Sequence, residues 1–101
     1  HLCAEMTAKL EPARALVWHA AYAMDTGDPE AAVMANLAKA HLAEVGTFVA
    51  KTSTEVHGGM GFTDLLGLHY WFKRIGVNRQ LFGSPEQVRQ TAAELQGFVA
   101  A

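Results

Sequence analysis

The strongest constraint on this fold is a pair of long segments in which apolar residues recur every three or four positions, the spacing of one face of a helix. The first runs from about residue 2 to residue 25 and the second from about residue 29 to residue 57. Between them, Gly27 suits the left-handed end of a helix, Asp28 can cap the next helix, and the proline after it fits that helix's first position. Because the connection is so short, the two helices are predicted to be antiparallel neighbours.

Each long segment has a predicted buried face. On the first helix this face comprises Leu2, Met6, Leu10, Ala13, Val17, Ala20 or Ala21, and Met24. On the second it comprises Met34, Leu37 or Ala38, His41 or Leu42, Val45, Phe48 or Val49, Thr52 and Val56. Pro12 removes one backbone donor, which predicts a kink or a break near Leu10–Glu11, with a new helix starting at Pro12 as the alternative. Gly46 weakens the second helix and therefore predicts a close helix crossing.

The rest of the chain predicts two shorter helices. The first covers about residues 68–75 and is rich in aromatic side chains, and residues 76–83 are predicted to be a turn or connector. Ser84 can cap the second helix, Gln87 is placed to complete a capping box, and this helix is predicted to reach about Phe98. With 18 alanines, three prolines and no strand-like alternation, the fold class is predicted to be all-α.

Composition limits the class of protein. The chain has 101 residues, a net charge of −2 and 18% charged residues, which fits one domain without the basic face that nucleic acid or an acidic membrane requires. Cys3 is the single cysteine, so a reducing cytoplasm is the expected location. No stretch reaches the ~20 apolar residues that span a bilayer. The sequence begins at His1 inside a helical pattern with no initiator Met or capping residue, which predicts a C-terminal fragment of a longer chain.

The glycine-rich stretch after the second helix is the most informative candidate site. Gly58, Gly59 and Gly61 can adopt positive φ angles and form a concave turn that binds phosphate, or they simply end the helix with a tight turn, the reading that spacing alone favours. The glutamates closest in sequence to this turn and to the last connector are Glu55 and Glu86. A metal site is not predicted, because the histidines are never three or four residues apart and Cys3 is alone. The histidines are His1, His19, His41, His57 and His69.

Two segments carry a family resemblance. Ala35-Asn36-Leu37-Ala38-Lys39-Ala40 and Glu55-Val56-His57-Gly58-Gly59-Met60-Gly61-Phe62 look like the A-x-x-A-K and Q-x-x-G-G-x-G-F segments of the C-terminal domain of the acyl-CoA dehydrogenase family. The resemblance covers essentially the whole chain and implies two long antiparallel helices and two shorter ones within a C-terminal four-helix bundle.

The resemblance also implies a function. Members of the family are longer flavoproteins that bind FAD and remove two hydrogens from an acyl-CoA thioester, with the proton passing to a glutamate base and the hydride to the flavin. They form dimers or tetramers in which the glycine turn contacts the FAD of a neighbouring subunit. The residues that the resemblance assigns to cofactor binding are Glu55, Gly58, Gly59, Gly61 and Ser84.

Departures from the family pattern concern the catalytic base. The family's E-G-T/S-x-Q motif corresponds to Phe82-Gly83-Ser84-Pro85-Glu86, so no catalytic residue is predicted here, because a phenyl ring cannot accept a proton. Glu55 replaces the family's Gln and would repel a pyrophosphate if it is ionised there, so it is turned away or protonated. Lys73-Arg74 replaces the usual Arg-Asp.

Two explanations remain for the missing base. Either it lies on an earlier helix outside this chain, or the chain is a non-catalytic subunit that pairs with an active one, as in bacterial enzymes that act on bulky acyl-CoA substrates such as steroid side chains. The departures favour the second. A hypothesis from another class is a stand-alone helical oligomerisation module without catalysis.

Overall fold

The described part of the chain forms four α-helices. A computed structural model describes residues 1–58 and 67–99, and within those ranges every regular element is helical, which confirms the all-α prediction. The elements are α1 (Leu2–Thr26), α2 (Ala31–His57), α3 (Leu68–Gln80) and α4 (Pro85–Leu95). None of these helices is both long enough and apolar enough to cross a membrane.

The turn between α1 and α2 follows the sequence pattern in part. Gly27 is left-handed at φ 70° and donates to the carbonyls of the last turn of α1, and the N–H of Asp28 bonds the carbonyl oxygen of Ala23 at 3.0 Å. The Asp28 carboxylate accepts the Glu30 N–H at 2.8 Å. Helix α2 then begins at Ala31, with Glu30 as its N-cap and no side-chain cap bond, so the predictions that Asp28 caps it and that Pro29 is its first residue are wrong. The Asp28 side-chain bond instead stabilises a turn over Pro29 and Glu30 before the helix.

Helices α1 and α2 are antiparallel, as predicted. Residues early in α1 contact residues late in α2: the Ser53 hydroxyl lies 3.5 Å from the Met6 sulfur, and the Lys9 ammonium lies 4.9 Å from the centre of the Phe48 ring. Helix α1 continues through Pro12, so the predicted break near Leu10–Glu11 and the alternative new helix at Pro12 are both wrong. One missing backbone hydrogen bond does not interrupt a helix that packs along α2.

Helix α2 is the centre of the fold and packs against each of the other three helices. Its buried residues are mostly small, and the buried residues of α1 are all alanines. The apolar core consists of Ala13, Ala20, Ala23, Ala31, Val33, Ala38, Ala40, Ala43, Val45, Ala50, Val88 and Ala92. Large members of the predicted buried faces are exposed instead, namely Leu10, Val17, Met24, Leu37 and Val56. Helices that approach this closely leave no room for long side chains between them.

Helix α3 crosses α2 at a glycine. A Cβ atom at Gly46 would lie 3.3 Å from the Cγ2 atom of Ile75, which confirms the predicted close crossing. Helix α3 extends to Gln80, so the prediction that it ends at Ile75 and that residues 76–83 form a connector is wrong. Contacts of its last turn with α2, described below, outweigh the low helix propensity of Gly76.

The two helical glycines provide a matched test of this crossing. Replacing Gly46 with Leu is expected to lower the free energy of unfolding by about 1–3 kcal/mol, because the larger side chain would force α3 away from α2. Replacing Gly76 with Leu is expected to stabilise by up to about 1 kcal/mol through helix propensity, since no atom lies within 4 Å of its Cβ position. Urea denaturation of both variants measures the difference, and equal effects would contradict the crossing.

Helix α4 begins with the predicted capping box. The Ser84 hydroxyl accepts the Gln87 N–H at 3.3 Å, and the Gln87 side-chain oxygen accepts the Ser84 N–H at 2.9 Å. The helix ends at Leu95 rather than near Phe98, because Gly97 turns left-handed at φ 81°. Val88 and Ala92 are buried in this helix, whereas Leu95 and Val99 near its end are exposed.

Candidate functional site

The first candidate region is the carboxyl end of α2. Gly58 ends the helix at φ 62° and ψ −140°, and its N–H donates to the carbonyl of Glu55. Among the described residues, no atom lies within 4 Å of the Cβ position of Gly58, and Glu55 is exposed. The structure therefore leaves Glu55 and Gly58 open to solvent at one helix end. Gly59 and Gly61, also predicted to bind the cofactor, lie outside the described residues.

The charges at this helix end decide which part of a flavin dinucleotide it could contact. The carboxyl end of a helix carries a partial negative charge, Glu55 adds a carboxylate, and the Gly58 N–H is already donated to a carbonyl. A pyrophosphate does not fit these described residues. A hydroxyl or amine donor, such as a ribose hydroxyl, fits them, because a carboxylate accepts hydrogen bonds.

The second candidate region is the connection between α3 and α4. Phe82 has φ 62°, a left-handed conformation that costs a bulky residue about 1–3 kcal/mol, and its side chain is 91% exposed. Gly83 follows at φ 117° with its Cβ position 3.2 Å from Val88, so a larger residue would be strained there. A strained and exposed phenyl ring thus occupies the position that the sequence resemblance predicts to correspond to the family's catalytic glutamate.

Ser84, the remaining residue predicted to bind the cofactor, has a structural role in the described chain. Its hydroxyl and its backbone N–H are the two halves of the capping box that starts α4. The hydroxyl also bonds the Glu86 carboxylate, one of the contacts that lower the pKa of that carboxyl.

A lysine from α2 holds the end of α3. The Lys39 ammonium donates to the carbonyl oxygens of Asn78 and Arg79 at 3.0 Å each and to that of Gly83 at 3.2 Å. In the opposite direction, the Arg79 guanidinium donates to the Ala43 carbonyl at 3.2 Å and to the Thr47 hydroxyl at 3.1 Å. Sequence reasoning gave neither cation a role, because the partners are 32 to 44 residues apart in the chain.

A surface cavity of about 370 Å³ lies between α2, α3 and this connection. Its lining is mainly apolar and includes Leu42, Gly46, Ile75 and Leu81, with Phe82 at the same cavity. Phe82 therefore lies at the edge of a cavity that apolar groups can enter.

Charged side chains surround the start of α4. Glu44 lies 3.6 Å from Arg79 and 3.4 Å from Arg89, and Glu86 lies 4.0 Å from Arg79. The pKa of the Glu86 carboxyl is lowered, mainly by a hydrogen bond from its own backbone N–H and also by bonding to Ser84 and by the two arginines. The small stabilisation is present above the ordinary pKa and is lost as the pH falls through the lowered pKa. Glu86 is thus an ionised surface residue at a helix start.

The histidines and the cysteine do not come together in the described part of the chain. Within residues 1–58 and 67–99, no group of three His, Cys, Asp or Glu side chains is placed to hold a metal ion. His57 lies at the end of α2, where its Nδ1 atom bonds the Ser53 carbonyl at 2.8 Å. Cys3 is exposed on α1.

These features describe an all-α helical domain with an exposed helix end and a strained turn beside an apolar cavity. A family model for the acyl-CoA dehydrogenase C-terminal domain matches residues 1–96. The chain therefore belongs to the acyl-CoA dehydrogenase family, as the sequence resemblance indicated. Searches of curated proteins and of solved structures gave no match.

Proposed function

We propose that this chain is the C-terminal helical domain of a longer, FAD-dependent acyl-CoA dehydrogenase. Its role there is to form part of the subunit interface and to contact the FAD of a neighbouring subunit. The family match over residues 1–96 supports this proposal, as does the exposure of Glu55 and Gly58 at the end of α2. When bound, FAD supplies a hydride acceptor for α,β-dehydrogenation of the acyl-CoA thioester.

The contact with FAD is assigned to the glycine turn and its flanking carboxylate. Glu55 would accept a hydrogen bond from a hydroxyl or amine of the cofactor, while Gly58 and the neighbouring Gly59 and Gly61 allow close approach because they lack side chains. Ser84, which the resemblance also assigns to the cofactor, would have to exchange its hydroxyl bond to Glu86 for one to the cofactor. The negative helix end favours these donor groups over the pyrophosphate.

Phe82 is the single observation that most strongly supports the proposed role of this subunit. The reaction requires a base for the proton at the α carbon, and a phenyl ring has no lone pair to accept it. The exposed, left-handed Phe82 therefore supports a non-catalytic subunit that pairs with an active one, and Phe82 is assigned to the wall of a pocket for a bulky acyl group. Glu55 and Lys73-Arg74, which differ from the family pattern, favour this over a base on an upstream helix.

The exposed aromatic side chains support a role in subunit assembly. Trp18 and Tyr22 on α1 and Trp71 and Phe72 on α3 are exposed. Aromatic residues are enriched at the centres of protein interfaces, so these two surfaces are assigned to contacts with a homo-oligomeric or hetero-oligomeric partner. The low net charge and single cysteine are consistent with a cytoplasmic location.

The flavin content of the intact polypeptide tests the cofactor assignment. Replacing Gly58 with Leu is expected to reduce bound flavin about tenfold or more, because a side chain at that open position would obstruct the cofactor and strain the φ of 62°. Gly27 is the matched control, since it also ends a helix at positive φ with no atom within 4 Å of its Cβ position. Absorbance of the purified proteins in the flavin band measures the occupancy.

Two results would count against this function. Equal flavin content in the wild type, the Gly58→Leu variant and the Gly27→Leu variant would place the end of α2 away from the cofactor. An intact polypeptide that binds neither flavin nor acyl-CoA, even with its partner subunit, would favour the helical oligomerisation module instead.

A further inference from the structure

Lys39 meets three carbonyl groups at the end of α3. The last four carbonyls of a helix have no partner within the helix, and an ammonium has three N–H donors. The Lys39 ammonium bonds two of these terminal carbonyls, those of Asn78 and Arg79, and its third bond goes to Gly83 beyond the helix. Lys39 therefore caps α3 and also holds the chain that follows it.

The backbone between these bonds has little freedom. Arg79 is tied to α2 through the Ala43 carbonyl and the Thr47 hydroxyl, and the Gly83 N–H donates to the Gln80 carbonyl at 3.1 Å. Phe82 lies inside this closed segment with its backbone at φ 62°. Phenylalanine rarely adopts that conformation without external support, and the Lys39 bond to Gly83 is one residue away.

We propose that Lys39 is a positioning residue for the side chain at position 82. By holding the carbonyls of Asn78, Arg79 and Gly83, the ammonium keeps residue 82 left-handed and directs its side chain beside the cavity lined by Leu42 and Ile75. That the side chain at position 82 faces an acyl-CoA rests on the proposed function. The role of Lys39 in fixing the backbone at position 82 does not depend on the proposed function.

Hydrogen exchange of the intact polypeptide tests whether Lys39 fixes the backbone around position 82. Lys39→Met keeps the length of the side chain but removes its donors, and it is expected to accelerate exchange of the Leu81 and Gly83 amides roughly tenfold. Lys51, exposed on the same helix, provides the matched control Lys51→Met, which is expected to leave these amides unchanged. Lys39→Arg, which keeps a cation and donors, is expected to exchange at an intermediate rate.

Two exchange results would overturn the proposal. One is wild-type exchange at Leu81 and Gly83 in both the Lys39→Met and the Lys39→Arg variants. The other is an acceleration spread evenly over all four helices in both variants, which would reveal a general contribution to stability rather than a hold on this turn.

Acyl-CoA binding tests whether Lys39 positions the side chain at position 82 toward the substrate. With a straight-chain fatty acyl-CoA as the probe, Lys39→Met is expected to raise the dissociation constant about tenfold, to leave flavin content unchanged, and to be partly rescued by Lys39→Arg. Equal affinity in wild type and Lys39→Met would overturn the positioning of residue 82 toward substrate. If the wild type bound no acyl-CoA under these conditions, the proposed function would fail, while the exchange result would still decide the role of Lys39.

Discussion

Replacing Phe82 with Glu in the intact polypeptide is expected to raise the rate of acyl-CoA dehydrogenation by about 10²–10⁴-fold, the usual contribution of a positioned general base. The variant places a carboxylate at the position that the sequence resemblance predicts for the family's base, on a turn whose backbone Lys39 and Gly83 already restrain. The carboxylate would take the proton from the α carbon. Anaerobic loss of the flavin absorbance on mixing with acyl-CoA measures the rate.

Phe82→Gln is the matched control for this gain. Glutamine has the same length and backbone strain as glutamate but no basic oxygen at neutral pH, so it is expected to remain at the wild-type rate. A wild-type enzyme already as fast as Phe82→Glu would show that the base lies elsewhere in the intact protein. No gain with Phe82→Glu, in a variant that retains flavin, would show that the pocket is unsuited to the reaction in other respects.

The second large effect is expected in the alanine core. Replacing Ala23 with Leu should lower the free energy of unfolding by about 1–3 kcal/mol, because it adds three carbon atoms to a close-packed helix contact. Ala23 is 1% exposed near the end of α1, where its carbonyl also accepts the N–H groups of the turn. Urea denaturation, with the midpoint and the slope fitted separately, measures the change.

Ala21 is the matched control for Ala23. It lies two positions earlier on the same helix and is exposed, so Ala21→Leu has the same helix propensity change without the overpacking. Its expected effect is within about 0.5 kcal/mol of the wild type. If Ala21→Leu and Ala23→Leu were equally stable, α1 and α2 would not meet through the small residues that the structure places between them.

Local features of the fold could be read from the sequence because their causes are local. The left-handed Gly27 and the Ser84–Gln87 capping box depend on residues at most four positions apart, and both are present as predicted. Gly46 also marked the helix crossing correctly, because a glycine inside a helix usually permits a close approach. At the candidate site, the sequence indicated the open glycine at position 58 and the absence of a base at position 82.

The features that sequence reasoning missed depend on contacts between distant residues. The length of α3 follows from Lys39 and Arg79, whose bonds join segments more than 30 residues apart. The buried faces of α1 and α2 were predicted from residue size, whereas close helix contacts select alanines and leave Leu10 and Met24 outside. Periodicity gives the direction of a helix face but not the distance to its neighbour.

The two-way hydrogen bonding between α2 and α3 has a consequence for how the molecule comes apart. A helix end usually frays on its own, but unwinding the last turn of α3 would strip two acceptors from the Lys39 ammonium and withdraw Arg79 from α2. Unwinding either α2 or the end of α3 in this region therefore breaks hydrogen bonds of the other helix. The middle of α2, the end of α3 and the turn to α4 are thus expected to unfold together, so that a substitution in any of the three weakens the remaining two.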